Sequence, residues 1–231
     1  MVKDMVKDMV KVIISGYGKM GHIVENELKA KGIELVLATD DICSVPKETA
    51  SECVCIDFTT PEAFRENYRF IAANFKAAVV GTTGWSDIES EVVECFRKCG
   101  TTMIYASNFS IGVNVLYAAV DLLSKKLGAV GGYMPYIVEK HHIHKLDAPS
   151  GTAKSIAEIV DAGMGGSVDI QSVRCGEIPG IHTVGFEGVN DRITITHEAF
   201  SRAGFAQGAV YAATLTETLS GVHKFQDLLT A

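Results

Sequence analysis

Short apolar runs alternate with amphipathic stretches through the first half of this chain. The apolar runs predict five β-strands, at 12–14, 33–38, 53–56, 77–80 and 102–106. Stretches with apolar residues at helical spacing separate these strands. Because the strands are almost continuously apolar, we expect them to form a parallel sheet that helices cover on both faces.

Residues at the ends of the predicted helices support this alternation. Gly32 is expected to end the first helix, which runs to about residue 30. Thr60 and Pro61 suit the N-cap and the first position of another helix. Ser86 and Glu89 have the spacing of a capping box, which predicts the start of a further helix.

The pattern changes in the second half. A long apolar helix is predicted at 111–127, and a shorter helix at 150–162 that Gly163 would end. Strands are predicted at 136–143, 168–174, 182–188 and 192–197, with a hairpin around Asn190 and Asp191. These elements indicate an α+β unit with an open mixed sheet. A final alanine-rich helix at 203–220 is expected to pack back on the first unit.

Composition narrows the classes of partner. The 231 residues carry a net charge of −7 without a run of lysines or arginines, which argues against a nucleic-acid partner. No apolar stretch approaches the roughly 20 residues of a membrane span. The six cysteines lack paired C-x-x-C spacing, so we expect reduced thiols in a cytoplasmic protein. Residues 1–9 repeat Met-Val-Lys-Asp and are interpreted as a disordered extension or an upstream start, without function.

A glycine fingerprint follows the first predicted strand. Gly16, Gly18 and Gly21 open a helix with G-x-G-x-x-G spacing, which lets a pyrophosphate approach the helix amides. Asp40 ends the second strand, where an acidic side chain can accept a hydrogen bond from a ribose hydroxyl. These features predict a dinucleotide site. The alternative is a glycine-rich turn that is needed only for close packing.

The form of the dinucleotide stays open. Asp40 favours an unphosphorylated ribose, whereas Lys19 could offset the repulsion of a 2′-phosphate, so NADH and NADPH are both compatible. Two later turns, at 81–84 and 107–109, follow predicted strands at the edge where such sheets bind ligands. Their alternative interpretation is as ordinary tight turns.

The densest chemistry lies at 141–153. His141, His142 and His144 precede Lys145, and a histidine that titrates near neutrality can act as a general acid or base. On a strand, His141 and His142 would point to opposite faces unless the strand ends there. A metal site from the three histidines is one alternative, although no acidic or cysteine partner stands at suitable spacing. A solvated structural segment is the other.

A helix start follows this segment. Pro149 keeps the preceding residue out of helical geometry, and Ser150, Gly151 and Thr152 then present the free amides of a first turn. Gly151 lets a ligand come close. We therefore predict a substrate site that combines acid catalysis with binding of a carboxylate or phosphate.

The segment Glu139-x-His-His-x-x-Lys-x-Asp-Ala-Pro-Ser-Gly-Thr-Ala resembles the signature of the 4-hydroxy-tetrahydrodipicolinate reductase (dihydrodipicolinate reductase) family of lysine and diaminopimelate biosynthesis. The resemblance covers essentially 11–231, including 16–21, 56–59, 81–84, 106–114, 180–184 and 196–197. The chain departs from the family at Ser15, often a glycine, at Lys19, often an arginine, and in its shorter length.

The resemblance implies an α/β architecture: a Rossmann-like parallel-sheet dinucleotide domain at 1–109 and 204–231, and an α+β substrate-binding and oligomerisation domain at 110–203. It implies a cytoplasmic homotetramer that reduces the dicarboxylate 4-hydroxy-tetrahydrodipicolinate with NADH or NADPH and loss of water. Metal ions, nucleic acid and membranes are not part of the prediction.

Site residues follow from the same resemblance. His141 and Lys145 are implied in catalysis. The residues implied in substrate binding are His142, Lys145, Ser150, Gly151, Thr152 and Thr83. Those implied in cofactor binding are Gly16, Gly18, Lys19, Met20, Gly21, Asp40, Phe58, Gly81, Thr83, Ala106, Asn108 and Phe109.

Two other functions share the glycine fingerprint. One is another two-domain amino-acid dehydrogenase, such as an aspartate or homoserine dehydrogenase, but those families lack a segment like 141–153. The other is a catalytically silent dinucleotide-sensing protein. The presence of both His141 and Lys145 disfavours it.

Overall fold

A computed structural model describes residues 10–229, which form two compact units. The first unit consists of residues 10–110 together with Ala203–Leu229, and the second consists of Ile111–Arg202. The interpretation of 1–9 as a disordered extension falls outside the described residues. The α/β fold class that the sequence predicts is confirmed.

The first unit contains a six-stranded parallel sheet. Its strands are β1 (Lys11–Ser15), β2 (Glu34–Thr39), β3 (Cys53–Asp57), β4 (Ala77–Val80), β5 (Thr102–Tyr105) and β10 (Val222–Lys224). They lie in the order β10-β5-β4-β3-β1-β2, with every neighbouring pair parallel. The order reverses beside β1, which is where doubly wound sheets bind ligands at their carboxyl ends. The last strand, β10, was not predicted.

Helices lie between the strands of this unit and after the last one. They are α1 (Lys19–Lys31), α2 (Lys47–Ala50), α3 (Pro61–Asn74), α4 (Glu89–Cys99), α7 (Ala203–Leu215) and α8 (Phe225–Leu228). Gly32 ends α1 in the left-handed conformation, as predicted, with φ of 67°. The Thr60 hydroxyl accepts a hydrogen bond from the Ala63 amide, so the predicted N-cap of α3 is confirmed.

The predicted capping box at Ser86 and Glu89 is wrong. Ser86–Ile88 forms a 3₁₀ turn instead, and α4 begins only at Glu89, without a side-chain cap. The Glu89 carboxylate accepts a hydrogen bond from the Tyr105 hydroxyl at 2.8 Å and lies 3.1 Å from Lys224 Nζ. These tertiary partners replace the local one.

The core of the first unit lies between the sheet and its helices. Strands β3, β4 and β5 are buried throughout, and α7 packs against α1 and the sheet. The side chains of Phe64, Tyr68 and Phe96 are fully buried, so the amphipathic faces of α3 and α4 supply the aromatic part of this core. Cys53 and Cys55 are buried free thiols.

The second unit is built on a mixed sheet. Its strands are β6 (Met134–His141), β7 (Ile170–Arg174), β8 (Ile181–Glu187) and β9 (Arg192–Glu198). They lie in the order β7-β6-β8-β9; β6 and β7 are parallel, and the other pairs are antiparallel. The predicted hairpin joins β8 to β9. Strand β6 ends at His141 rather than residue 143, because the chain turns at His142.

Strand β7 also starts later than predicted. The Asp161 carboxylate accepts a hydrogen bond from the Val168 amide at 2.8 Å, which holds Val168 in the preceding loop.

Two helices accompany the sheet, α5 (Ile111–Val130) and α6 (Gly151–Met164), and they pack against each other. No helix among the described residues is long and apolar enough to cross a membrane.

Gly163 has a different role from the predicted one. It lies inside α6, which ends at Gly165 with φ of 74°. A Cβ at Gly163 would lie 2.5 Å from Ser124 Cβ and 2.9 Å from the Lys125 amide nitrogen. The glycine therefore permits close approach of α5 and α6.

We expect Gly163→Ala to destabilise the second unit. The added methyl group must displace the backbone of α5, and overpacking of this kind costs about 1–3 kcal/mol. The midpoint of urea unfolding, followed by far-ultraviolet circular dichroism, should fall. Gly166→Ala is the control, because a Cβ there meets no atom within 4 Å. Equal midpoints for the two variants would contradict this packing argument.

Candidate functional site

The fingerprint glycines serve two different purposes. Gly16 has φ of 90°, and a Cβ there would lie 2.6 Å from the Phe58 carbonyl oxygen. A Cβ at Gly21 would lie 2.4 Å from the Gly16 carbonyl oxygen. Close packing therefore explains both, but not Gly18, whose Cβ would meet nothing within 4 Å. Open space at Gly18 favours a ligand site over a purely structural turn.

The N-terminus of α1 has the electrostatics of an anion site. Gly18 is its N-cap, no side chain caps the first amides, and the first turn holds no acidic residue. Lys19 is exposed beside these amides, and Met20 is half-buried. The helix therefore directs unshared N–H groups and positive potential outward at this point.

Asp40 connects the end of β2 to the glycine loop. Its Oδ1 accepts a hydrogen bond from the Tyr17 amide at 2.8 Å, although the side chain is otherwise exposed. Asp41, also exposed, follows directly. Two carboxylates therefore follow β2, where the fingerprint predicts the ribose.

A buried carboxylate that the sequence analysis did not single out lies at the end of β3. Asp57 Oδ1 accepts hydrogen bonds from the hydroxyls of Thr82, at 2.5 Å, and Thr59, at 3.0 Å. Burial raises the pKa of Asp57, and these hydrogen bonds oppose the rise. The cluster fixes the turns after β3 and β4.

Aromatic rings define the surroundings of the later turns. The Phe58 ring covers Gly81, where a Cβ would lie 2.2 Å from it. Phe109 is buried and packs against Phe58 and Phe225, with ring centroids 6.4 and 4.9 Å apart. Of the remaining predicted cofactor residues at these turns, Thr83 is exposed, and the half-buried ones are Ala106 and Asn108.

In the second unit, His141 lies in a buried charged cluster. It is the last residue of β6, and its Nδ1 contacts the carboxylate of Glu139 on the same strand. The other Glu139 oxygen accepts a hydrogen bond from Arg174 at 2.8 Å. His182 lies opposite Glu139 on β8, with its ring centroid 5.1 Å from that of His141. His141 stands out in the sequence as a site residue, whereas Glu139, Arg174 and His182 do not.

The cluster affects how each group titrates. Burial lowers the pKa of His141, and Glu139 acts in the opposite direction. Burial and the charge on His141 lower the pKa of His182 to about 4, so this imidazole is neutral at pH 7. Burial would raise the pKa of Glu139, but hydrogen bonds from Arg174 and Ser172 lower it. Glu139 is therefore ionised.

Metal binding is not favoured at either candidate set of ligands. His144 is exposed beside Glu177 and does not share the buried cluster of His141, so the three-histidine alternative is not supported. Among the described residues, the group with metal-ligand types is Glu139, His141 and His182. Arg174 already balances the charge of Glu139, which disfavours a second cation.

The chain after His141 turns toward α6. Lys145 Nζ pairs with Asp147 Oδ1 at 2.7 Å, and the hydrogen bond from Lys145 lowers the pKa of Asp147. His142 is half-buried. The backbone carbonyl of Asp147 accepts a hydrogen bond from Arg174 at 2.6 Å, which ties this turn to the charged cluster.

The start of α6 is open to solvent at Gly151, its first residue. The Ser150 hydroxyl accepts a hydrogen bond from the Ala153 amide at 3.3 Å and lies 3.1 Å from His182 Nε2. Gly151 is exposed, and a Cβ there would meet nothing within 4 Å. Thr152 is half-buried and hydrogen-bonds Tyr117. This helix start can receive an anion beside Gly151.

Comparisons with known families cover nearly the whole chain. The family model described as dihydrodipicolinate reductase, N-terminus, matches residues 10–109. The model described as dihydrodipicolinate reductase, C-terminus, matches residues 112–229. The two matches together span both units.

Individual relatives agree with the family models. A 4-hydroxy-tetrahydrodipicolinate reductase of Christiangramia forsetii is 35% identical, with 95% of this chain and 98% of the relative covered. One from Methanocaldococcus jannaschii is 33% identical, with coverage of 94% and 85%. Dipicolinate-bound dihydrodipicolinate reductase from Paenisporosarcina sp. TG-14 is 22% identical, with coverage of 95% and 99% and a TM-score of 0.83, which shows a shared fold.

Proposed function

The chain belongs to the dihydrodipicolinate reductase family, and we propose that its first unit binds the reductant and its second unit the substrate. The reaction is the reduction of 4-hydroxy-tetrahydrodipicolinate by NADH or NADPH with loss of water, in lysine and diaminopimelate biosynthesis. The observation that carries the division of roles is the pairing of buried His141 with an open helix start at 150–152 in one unit.

The residues proposed to hold the dinucleotide surround the glycine loop. Gly18 leaves space for the pyrophosphate, and the α1 amides with Lys19 neutralise its charge. Asp40 accepts from the ribose. The other proposed contacts are Gly16, Met20, Gly21, Phe58, Gly81, Thr83, Ala106, Asn108 and Phe109. The bound dinucleotide supplies the hydride.

The residues proposed to hold the substrate carboxylates lie at 142–152, apart from Thr83. Lys145 supplies a positive charge, and the amides of Gly151 and Thr152 supply hydrogen-bond donors at the α6 N-terminus. His142, Ser150 and Thr83 are further proposed contacts. Asp147 holds Lys145 at 2.7 Å, so a substrate carboxylate must share or replace that ion pair.

His141 is proposed to deliver the proton that the reduced ring requires. Hydride arrival makes the ring electron-rich, and a protonated imidazole can act as the general acid, becoming neutral as the ring takes up the proton. Its Nδ1 contacts Glu139, which leaves Nε2 for the proton exchange. Lys145 is the catalytic partner because its charge favours the electron-rich form.

The proposal also covers the oligomeric state of the enzyme and its location in the cell. We place the enzyme in the cytoplasm as a homotetramer that forms through the mixed sheet. Exposed apolar side chains on this sheet, Val173 of β7 and Ile193 of β9, support such an interface.

We expect NADH to be oxidised in the presence of synthase-generated substrate, with a kcat/KM about 30-fold higher than for NADPH. The 2′-phosphate would stand beside Asp40 and Asp41, and each such pair of charges costs about 1 kcal/mol in water at 4 Å. Asp40→Asn should bring the kcat/KM values for NADH and NADPH closer together, because it removes one of the two negative charges. The asparagine amide oxygen can still accept the hydrogen bond from the Tyr17 amide. Initial rates of absorbance loss at 340 nm measure both cofactors.

Glu94→Gln, on the exposed face of α4, controls for the change in net charge. Equal use of both cofactors by the unaltered enzyme would contradict the charge argument. Absence of substrate-dependent oxidation with either cofactor would contradict the proposed function.

A further inference from the structure

A carboxylate that is 0% exposed lies inside strand β6. Glu139 and His141 are two positions apart, so their side chains lie on the same face of the strand. The pairing register of the strands places two further residues beside Glu139 and His141. Arg174 on β7 pairs with His141, and His182 on β8 lies opposite Glu139. The sheet therefore builds the cluster from three strands.

Stability alone is a weak reason for this arrangement. Desolvation of two buried charges costs several kcal/mol each, and well-packed apolar residues often replace such pairs without loss. Glu139 instead directs one oxygen to Arg174 and the other to His141 Nδ1. The carboxylate is thus held by a fixed cation and aimed at the imidazole.

Gly180 leaves space beside Nε2, the other ring nitrogen of His141. A Cβ at Gly180 would lie 3.1 Å from His141 Nε2, closer than an ordinary contact. Gly180 is buried, and its backbone is not in the left-handed region that favours glycine. Its lack of a side chain is therefore explained by the imidazole beside it rather than by a turn.

We propose that Glu139 is a positioning residue that holds one proton of His141 on Nδ1, so that the second proton, which the imidazolium carries on Nε2, is the one delivered to the substrate. Arg174 holds the Glu139 carboxylate in place for this purpose. The inference rests on the proposed role of His141 as the acid. It adds a residue pair, Glu139 with Arg174, that acts through His141 and does not contact the substrate.

The charged and titratable groups around His141 are Glu139, Arg174, Lys145 and His182. His182 is neutral near pH 7 and hydrogen-bonds Ser150, so it is not a competing acid. Glu139 is the one anion among these four groups. Its removal should therefore lower the pKa of His141.

The test is Glu139→Gln. The glutamine amide can donate to Nδ1, which favours the opposite tautomer, so kcat should fall by about 10²- to 10⁴-fold. The pH limb that reports His141 should move to lower pH, because the carboxylate that stabilises the imidazolium is gone. Heteronuclear NMR of ¹⁵N-labelled histidine measures the tautomer and titration of His141 directly. Glu187→Gln, whose carboxylate pairs with Arg192 on the same sheet, is the matched control.

A second variant keeps the proposal testable if Glu139→Gln does not fold. Glu139→Asp retains the anion near Arg174 but withdraws it from His141, so kcat should fall while the protein remains folded. Wild-type kcat and an unchanged Nδ1 tautomer in a folded variant would overturn the positioning role. If the NMR titration shifts but His141→Gln retains full activity, the proposed function of His141 has failed instead.

Discussion

Replacing His141 by alanine is expected to lower kcat by about 10²- to 10⁴-fold, the usual contribution of a general acid. The variant lacks the proton donor and also removes the imidazole that Glu139 contacts. Affinity for NADH should change little, because the residues proposed to bind it lie in the first unit. Steady-state rates and a fluorescence titration with NADH give the two quantities separately.

A second substitution separates the loss of the titrating group from the loss of a partner for buried Glu139. His141→Gln retains an amide that can donate to Glu139, so the carboxylate keeps a partner, but it supplies no titrating group. We expect the same loss of kcat with a melting temperature closer to that of the unaltered protein. A parallel loss of NADH affinity in both variants would remove His141 from the proton-transfer role.

Lys145→Ala is expected to raise KM for the substrate by about 10- to 100-fold, since hydrogen bonds to charged groups contribute about 1.5–3 kcal/mol. It should also slow turnover, because the positive charge that favours the electron-rich ring is lost. The side chain lies on a partly exposed turn, so the protein should remain folded. Substrate saturation curves at several salt concentrations measure the effect.

Lys140→Ala provides the matched control, because it removes the same charge from an exposed position on the neighbouring strand. It should retain wild-type KM. Wild-type kinetics in Lys145→Ala would contradict the assignment of this lysine to the carboxylate site. A salt dependence equal in both variants would also contradict it.

Local sequence signals predicted the first unit well. The five apolar runs became strands with ends close to those expected. Strands β3, β4 and β5 are buried on both faces, which favours continuous apolar runs, whereas β2 lies at the edge of the sheet and is largely exposed. Gly32 and Thr60 ended and began helices as predicted. The prediction of a capping box at Glu89 failed because the carboxylate contacts Tyr105 and Lys224, which are distant in the chain, instead of the local amides.

The candidate site was predictable only in part. His141 and Lys145 stand out in the sequence, since they lie in one dense segment. The partners of His141 do not, because Arg174 lies 35 positions beyond Glu139 and only the register of β7 brings them together. A one-residue change in register would move Arg174 to the other face. His182 and Gly180 depend in the same way on the pairing of β8.

The strand order of the first sheet also constrains synthesis of the protein. Strand β10 closes the sheet beside β5, yet the ribosome makes the whole of Ile111–Arg202 between them. At about 5–20 residues per second, the nascent chain carries β5 with an unpaired edge for on the order of 10 s. Such an edge is prone to pairing with other chains. Chaperone capture during translation should therefore be strongest in this interval.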